Sequence, residues 1–285
     1  MAIIGKLNNL RVVKEVDFGL YLDGGEHGEI LLPLRYVPDG AKPDDILEVF
    51  IYLDSEDRII ATTEKPFAMV DEFAYMKVVS VNSVGAFLDW GLMKDLLVPF
   101  REQKQTMEEN KYYLVYVYVD MDTKRIAASA KIDKYLDNVF ADYEVGQEVD
   151  LLIANKTDLG FTAIINHSHW GIIYENEVFK TLKKGQHVTG YIKKIRDDEK
   201  IDLSLQKPGF DKVDNISKDI LAKLQSNNGF IAVTDRSHPE IIYQMFGISK
   251  KAFKMAVGTL YKSRLITLEQ NGIYLKGQND GISNQ

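Results

Sequence analysis

Short apolar runs of alternating period fill the first two hundred residues, separated by clusters of Gly, Pro and Asp. RVVKEV, GLYLDG, EILLP, DILEVFIYLD and RIIATT form a first set of five. MKVVSVNS, GAFLDW, DLLVP, YYLVYVYVD and RIAASA form a second, and VDLLIANKT, GFTAII, GIIY, HVTGYIKKI and KIDLSL a third. Successive side chains of a strand point to opposite faces, so the alternation predicts half-buried β-strands. Recurrence in one order predicts a repeated unit. Five strands in about 65 residues is the strand count of an OB-type barrel, a partly open Greek-key fold. Each set closes on a charged hairpin turn: DSEDR, DMDTKR and RDDEK.

Between the second and third sets, Ile132, Tyr135, Leu136 and Val139 fall at helical spacing and predict a short linking helix. After Pro208-Gly209 the period lengthens. Ile216, Ile220, Leu221 and Leu224 share one helical face, Pro239 and Gly247 bracket a second helix, and Ser249 precedes a third with Phe253, Ala256, Val257 and Leu260 as its stripe. LITLEQNGIYL then predicts a hairpin turning at Asn271-Gly272 in a type I′ turn. Three helices and a hairpin are the order of a winged helix-turn-helix. The predicted fold class is mainly β with a small α/β C-terminal domain. It comprises three tandem OB barrels at 1–66, 67–131 and 144–208, a linking helix at 132–143, a winged helix at 209–276 and a disordered tail at 277–285.

Charge is unevenly spread over this plan. The net charge is −7, but residues 1–143 hold 16 Lys+Arg against 25 Asp+Glu, residues 144–208 hold 9 against 10, and residues 209–285 hold 10 against 7. A polyanion is repelled by the front of such a chain and tolerated or attracted by the back. The chain has no cysteine, which excludes disulfides, thiolate metal sites and cysteine nucleophiles. No apolar run is long enough for a membrane span and no signal peptide is legible, so a cytoplasmic protein with no membrane partner is expected.

The three β units resemble the S1 motif, the RNA-binding OB repeat of a large ribosomal protein. Phe18-Gly19-Leu20-Tyr21 is similar to the Phe-Gly-Ala-Phe segment whose two rings stack on bases in that family. Asp54 and Arg58 stand where it carries an Asp and an RNA-contacting Arg. The second unit keeps Phe87 and Arg125 but has Val84 at the first ring position. The third has Leu159 and Thr162 at the ring positions, Lys200 at the Arg position, and a ring at Tyr174. Over residues 1–276 the order of units resembles the conserved virulence factor B family of Gram-positive bacteria, the YitL-like proteins. That resemblance implies RNA binding and regulation of gene expression, including virulence, and implies no catalytic residue.

Stacked bases and neutralised phosphates hold a single strand. Tyr21 and Phe87 face outward if their neighbours Leu20, Leu22, Ala86 and Leu88 are core; Tyr116 and Tyr118 are weaker candidates, explained equally by β-propensity. Cations gather on the third unit (Lys193, Lys194, Arg196, Lys200, with Lys183 and Lys184 before them) and on the winged helix (Lys250, Lys251, Lys254, Lys262, Arg264). Because electrostatics supplies most nonspecific affinity, these two domains are expected to carry the main RNA surface. Phe18, Tyr21, Arg58, Phe87, Arg125 and Tyr174 are the further candidates. The expected partner is single-stranded RNA read with low sequence selectivity. Duplex DNA at the winged helix, or a protein partner on the acidic front half, are the rival readings. His167-Ser168-His169 lacks a third ligand at metal spacing, no phosphate loop or hydrolase motif is present, and no cofactor or enzymatic activity is expected.

Overall fold

The computed structural model describes residues 2–178, 181–206 and 211–276. Strands β1 (Leu7–Val16), β2 (Gly19–Asp23), β3 (Glu29–Pro33), β4 (Ile46–Leu53) and β5 (Ile59–Thr62) close a barrel in the order β1-β2-β3-β5-β4. The second set is β6 (Phe73–Val81), β7 (Gly85–Leu88), β8 (Leu96–Pro99), β9 (Tyr112–Val119) and β10 (Ile126–Ser129). It follows the same path, with β8 lying against β10. The third set is β11 (Glu148–Thr157), β12 (Gly160–Ile165), β13 (His169–Tyr174), β14 (His187–Ile195) and β15 (Ile201–Ser204), closed in the same strand order.

The repetition extends below the level of strands. The first strand of each barrel shifts register at one place, between Val12 and Lys14, Val78 and Ser80, and Ile153 and Asn155. Such a bulge adds a local bend, which a five-stranded sheet needs to close. The second strand of each barrel opens on a glycine, at Gly19, Gly85 and Gly160. A Cβ there would lie 2.1, 2.3 and 2.1 Å from the carbonyl oxygens of Leu32, Val98 and Ile173 in the third strand. No side chain fits between the strands at this corner, which explains the Gly before each predicted stacking position.

The chain divides into two compact units, one holding the first two barrels and the other the third barrel and the C-terminal domain. Within the first unit, β4 is buried on both faces. Val49 and Ile51 enter the first barrel's core, while Phe50 and Tyr52 point out of it and join the core of the second. Phe50 meets Trp90 edge-on at 5.5 Å, and the Trp90 indole N–H donates to the Ala68 carbonyl at 2.7 Å.

In the second unit, α1 (Asp211–Ser226), α2 (Pro239–Phe246) and α3 (Lys250–Lys262) pack on a small sheet of β16 (Phe230–Ile231), β17 (Ile266–Glu269) and β18 (Gly272–Leu275), ordered β16-β18-β17. Ile220, Leu224, Ile242, Phe253, Ala256 and Ile273 are sealed in its core. The Ser249 hydroxyl accepts the Ala252 N–H at 3.2 Å and caps α3, and Gly247 ends α2 in a left-handed turn.

Two local expectations fail. The segment after β10 makes one 3-10 turn, Ile132–Tyr135, instead of a linking helix. Ile132 and Leu136 are buried, but Asp137 adopts a left-handed φ of 57° that stops helical propagation, and Val139 and Phe140 stay exposed. The β17–β18 hairpin forms, yet its turn is not type I′, since neither Gln270 nor Asn271 has positive φ. Gly272 serves packing instead: a Cβ on it would lie 2.3 Å from the Ile231 carbonyl and 2.4 Å from the Phe230 ring. The expected disordered tail lies outside the described residues.

The close approach at the second strand gives a direct test. Gly160→Ala should destabilise the third barrel by about 1–3 kcal/mol, since a new methyl must displace backbone. Hydrogen exchange should show the protection of β12 and β13 falling while that of the first two barrels is unchanged.

Candidate nucleic-acid interface

On the first barrel, Tyr21 stands half-buried between Leu20 and Leu22, both sealed in the core. Its ring meets the exposed Phe18 edge-on at 6.3 Å, and the Lys14 ammonium lies 4.8 Å from its centroid. Two rings and a cation thus share one face, although Lys14 is also paired with Glu29 at 2.5 Å. Arg58 is folded back within its own hairpin, where Asp54 takes it at 2.7 Å and Glu56 at 2.9 Å.

The second barrel carries a groove of about 600 Å³. Phe87, half-exposed between the buried Ala86 and Leu88, lines it with Phe100, Arg101, Lys94 and Arg125, and Tyr52 and Leu53 of the first barrel complete a wall. Phe100 is 48% exposed and follows Pro99 at the end of β8, so the groove offers a second ring where Val84 replaces the first. Its cations are held. Arg101 pairs with Asp120 at 2.6 Å, Lys94 donates to the Leu53 and Asp54 carbonyls, and Arg125 makes two hydrogen bonds to Asp57. Phe100, Arg101, Lys94 and Asp57 were not foreseen. The repeated LLPLR and LVPFR, each ending a third strand, were the available signal for the first two. Tyr116 and Tyr118 lie elsewhere, stacked on Tyr135 at 3.9 and 6.1 Å.

On the third barrel the predicted cations meet carboxylates. Lys193 pairs with Glu177 at 2.8 Å, Lys200 with Asp198 at 2.7 Å, and Arg196 with Asp202 at 2.8 Å. The Arg196 guanidinium also lies 5.8 Å from the centre of the half-buried Tyr174 ring. Lys184 donates to Asn155 at 2.8 Å, and burial holds its ammonium below the usual lysine range. Lys194 is exposed and, among the described residues, has no ion-pair partner. On the winged helix, Lys254 is 3.8 Å from Asp235 and Lys250 reaches the Arg236 carbonyl at 3.4 Å. Lys251, Lys262 and Arg264 are exposed, with no carboxylate partner among the described residues. One turn of helix separates 251 from 254 and 255, and 258 and 262 continue that row, so Lys251, Lys254 and Lys262 share an outward strip of α3 with Met255.

His169 is buried, with Nε2 2.8 Å from the Val139 carbonyl. Among the described residues no three His, Asp or Glu side chains form a candidate metal site, and no helix is long and apolar enough to cross a membrane.

Barrels of this strand order with rings on their second strand, followed by a winged helix, define a protein assembled from nucleic-acid-binding domains. The family model described as S1 domain matches residues 4–64 and 72–130, and the model described as CvfB-like winged helix domain matches residues 218–275. The chain is 28% identical to YitL of Bacillus subtilis over 95% of its own length and 93% of that protein's. It is 25% identical to conserved virulence factor B of Staphylococcus aureus, over 96% of its own length and 94% of that protein's. A crystal structure of a multidomain protein with nucleic acid binding domains from Streptococcus pneumoniae aligns over 95% of this chain and 98% of that one, at 23% identity and a TM-score of 0.40. The chain thus carries S1 domains and a CvfB-like winged helix domain, and it is similar over nearly its full length to proteins named YitL and conserved virulence factor B. The matched domains are of nucleic-acid-binding kinds and not of enzyme families.

The wall of the second barrel's groove has a titratable anchor. The Thr123 N–H first, then the Thr123 hydroxyl, the Asp122 N–H and Arg101, hold the Asp120 carboxyl below its ordinary range, against the opposing effect of burial. A carboxyl with a depressed native pKa contributes stability above its unfolded pKa and loses it as pH falls through the native value. Asp120→Asn should therefore lower the melting temperature at pH 7. The gap from the parent should close as pH falls below 3.8, the ordinary value for Asp. Paired thermal melts across that range check both.

Proposed function

We propose that this chain binds single-stranded RNA with low sequence selectivity and acts as a regulator of gene expression. The observation that carries the reading is the same arrangement on two barrels. In each, an aromatic side chain on the second strand stands outside two sealed core residues: Tyr21 is in contact with the exposed Phe18 ring and the Lys14 ammonium, and Phe87 shares one groove with the exposed Phe100 ring and Arg125. Rings of this kind accept any base, and each stacked base contributes about 1–3 kcal/mol. The cations Lys251, Lys262 and Arg264, together with Lys194, supply the phosphate contacts, since no carboxylate among the described residues competes for them. The ion pairs of Lys193, Arg196 and Lys200 leave the third barrel a smaller share than its charge count suggests. The likeness of relatives named for virulence supports a regulatory role, and a cytoplasmic site of action follows from an RNA partner.

One observation favours duplex DNA as a second reading. The lysines of the strip on α3 lie on a 13-residue capped helix, which is the geometry that enters a major groove.

Fluorescence anisotropy with a labelled oligouridine and with a DNA duplex, using the whole chain at several salt concentrations, separates the readings. Tyr21→Ala and Phe87→Ala should each weaken RNA binding roughly five- to hundredfold, the loss of one stacked base. Lys251→Ala with Lys262→Ala should flatten the slope of log affinity against log salt by roughly 0.7 for each phosphate contact removed. Preference for the duplex, lost with the lysines and indifferent to the rings, would establish the DNA reading. Salt-independent failure to bind either would leave a protein-interaction scaffold.

A further inference from the structure

The hairpins that close the first two barrels differ by one residue, and the difference redirects an arginine. In DSEDR, Arg58 lies four residues after Asp54 and folds back onto it. In DMDTKR, Arg125 lies five residues after Asp120, whose oxygens are already taken by Thr123, the Asp122 N–H and Arg101. Arg125 reaches instead to the first barrel, where Nε and Nη2 donate to the two oxygens of Asp57. Asp57 sits at the tip of its hairpin with φ 61°, a left-handed conformation that Asp and Asn tolerate better than most residues. Lys94 holds the base of that hairpin through the Leu53 and Asp54 carbonyls, at 2.9 and 2.8 Å, so the tip is fixed independently of Arg125.

Arg125 borders the groove that holds Phe87 and Phe100. A guanidinium fork receives two phosphate oxygens in the same way that it receives two carboxylate oxygens. The Asp57–Arg125 pair is about half exposed on each side, and such a pair contributes little net stability, so an incoming anion can exchange with it. We propose that Asp57 is an internal competitor of nucleic-acid phosphate. Its carboxylate occupies the phosphate position on Arg125 in the free protein, and a single strand entering the groove displaces it. The first barrel thereby sets the affinity of the second. This inference rests on the reading that the groove receives a single-stranded nucleic acid.

The test is oligouridine affinity of the whole chain for Asp57→Asn, Arg125→Gln, the double variant and Glu56→Gln, with Phe87→Ala as the reporter of groove occupancy. Asp57→Asn should tighten binding about two- to fivefold, the range for release of one exposed ion pair. The gain should vanish in the Arg125→Gln background. Glu56→Gln removes the same charge one residue away, where Asp54 still holds Arg58, and should leave affinity within error of the parent. Equal gains with and without Arg125, or an equal gain from Glu56→Gln, would mean bulk charge and overturn the proposal. No effect of Asp57→Asn while Phe87→Ala weakens binding would overturn it and leave the RNA reading standing. If Phe87→Ala is also silent, or no form binds, the parent reading of this groove fails and the competitor role falls with it.

Discussion

Much of the first unit depends on one strand having core on both of its faces. β4 reads VFIY through its middle, four buried residues in succession, where a one-sided strand would alternate. Val49 and Ile51 seal the first barrel, and Phe50 and Tyr52 are covered by Trp90 and the second. Burying a side chain such as Phe50 contributes about 1.5–3 kcal/mol. That packing brings the tip of one hairpin within reach of the next barrel's arginine and supplies Tyr52 and Leu53 to the groove wall. Two barrels joined only by a flexible linker would form neither contact.

The same fold explains where rings can be offered. A five-stranded barrel seals alternate residues of its second strand and leaves the intervening one outside. The glycine corner draws the third strand against the start of the second, so the residue before the glycine and the residue after the third strand come to the same end of the barrel face. Phe18 and Leu34 occupy these places in the first barrel, and Val84 and Phe100 in the second. The ring absent from one position of the second barrel is thus offered by the turn that follows the third strand.

Charge is organised on a shorter length scale than composition reports. Nearly every cation predicted to meet RNA on the barrels already has a carboxylate within ion-pair distance, whether in its own hairpin (Arg58, Lys200), on a neighbouring strand or turn (Arg196, Lys193), or on the adjoining barrel (Arg125). Exposed pairs of this kind add little to folding stability, but they determine which cations meet an incoming phosphate without first losing a partner. By that measure Lys251, Lys262 and Arg264, with Lys194 on the third barrel, stand apart from the other predicted cations among the described residues.

The strand sets, the winged helix and the outward placement of Tyr21 and Phe87 were legible in the sequence, because period and glycine position are local properties of a chain. The expected helix at 132–143 failed where Asp137 turned left-handed and the end of the apolar stripe met no surface to bury it. The Asn271-Gly272 pair carries a turn signature, yet Gly272 serves packing, since a Cβ there would collide with the Ile231 carbonyl and the Phe230 ring. Phe100 and Arg101 become groove residues only when β8 closes beside β7, and Arg125 meets Asp57 across 68 residues of sequence. Periodicity reports which face of an element is apolar. Which carboxylate reaches which cation depends on how two barrels share Phe50, and that is decided by packing alone.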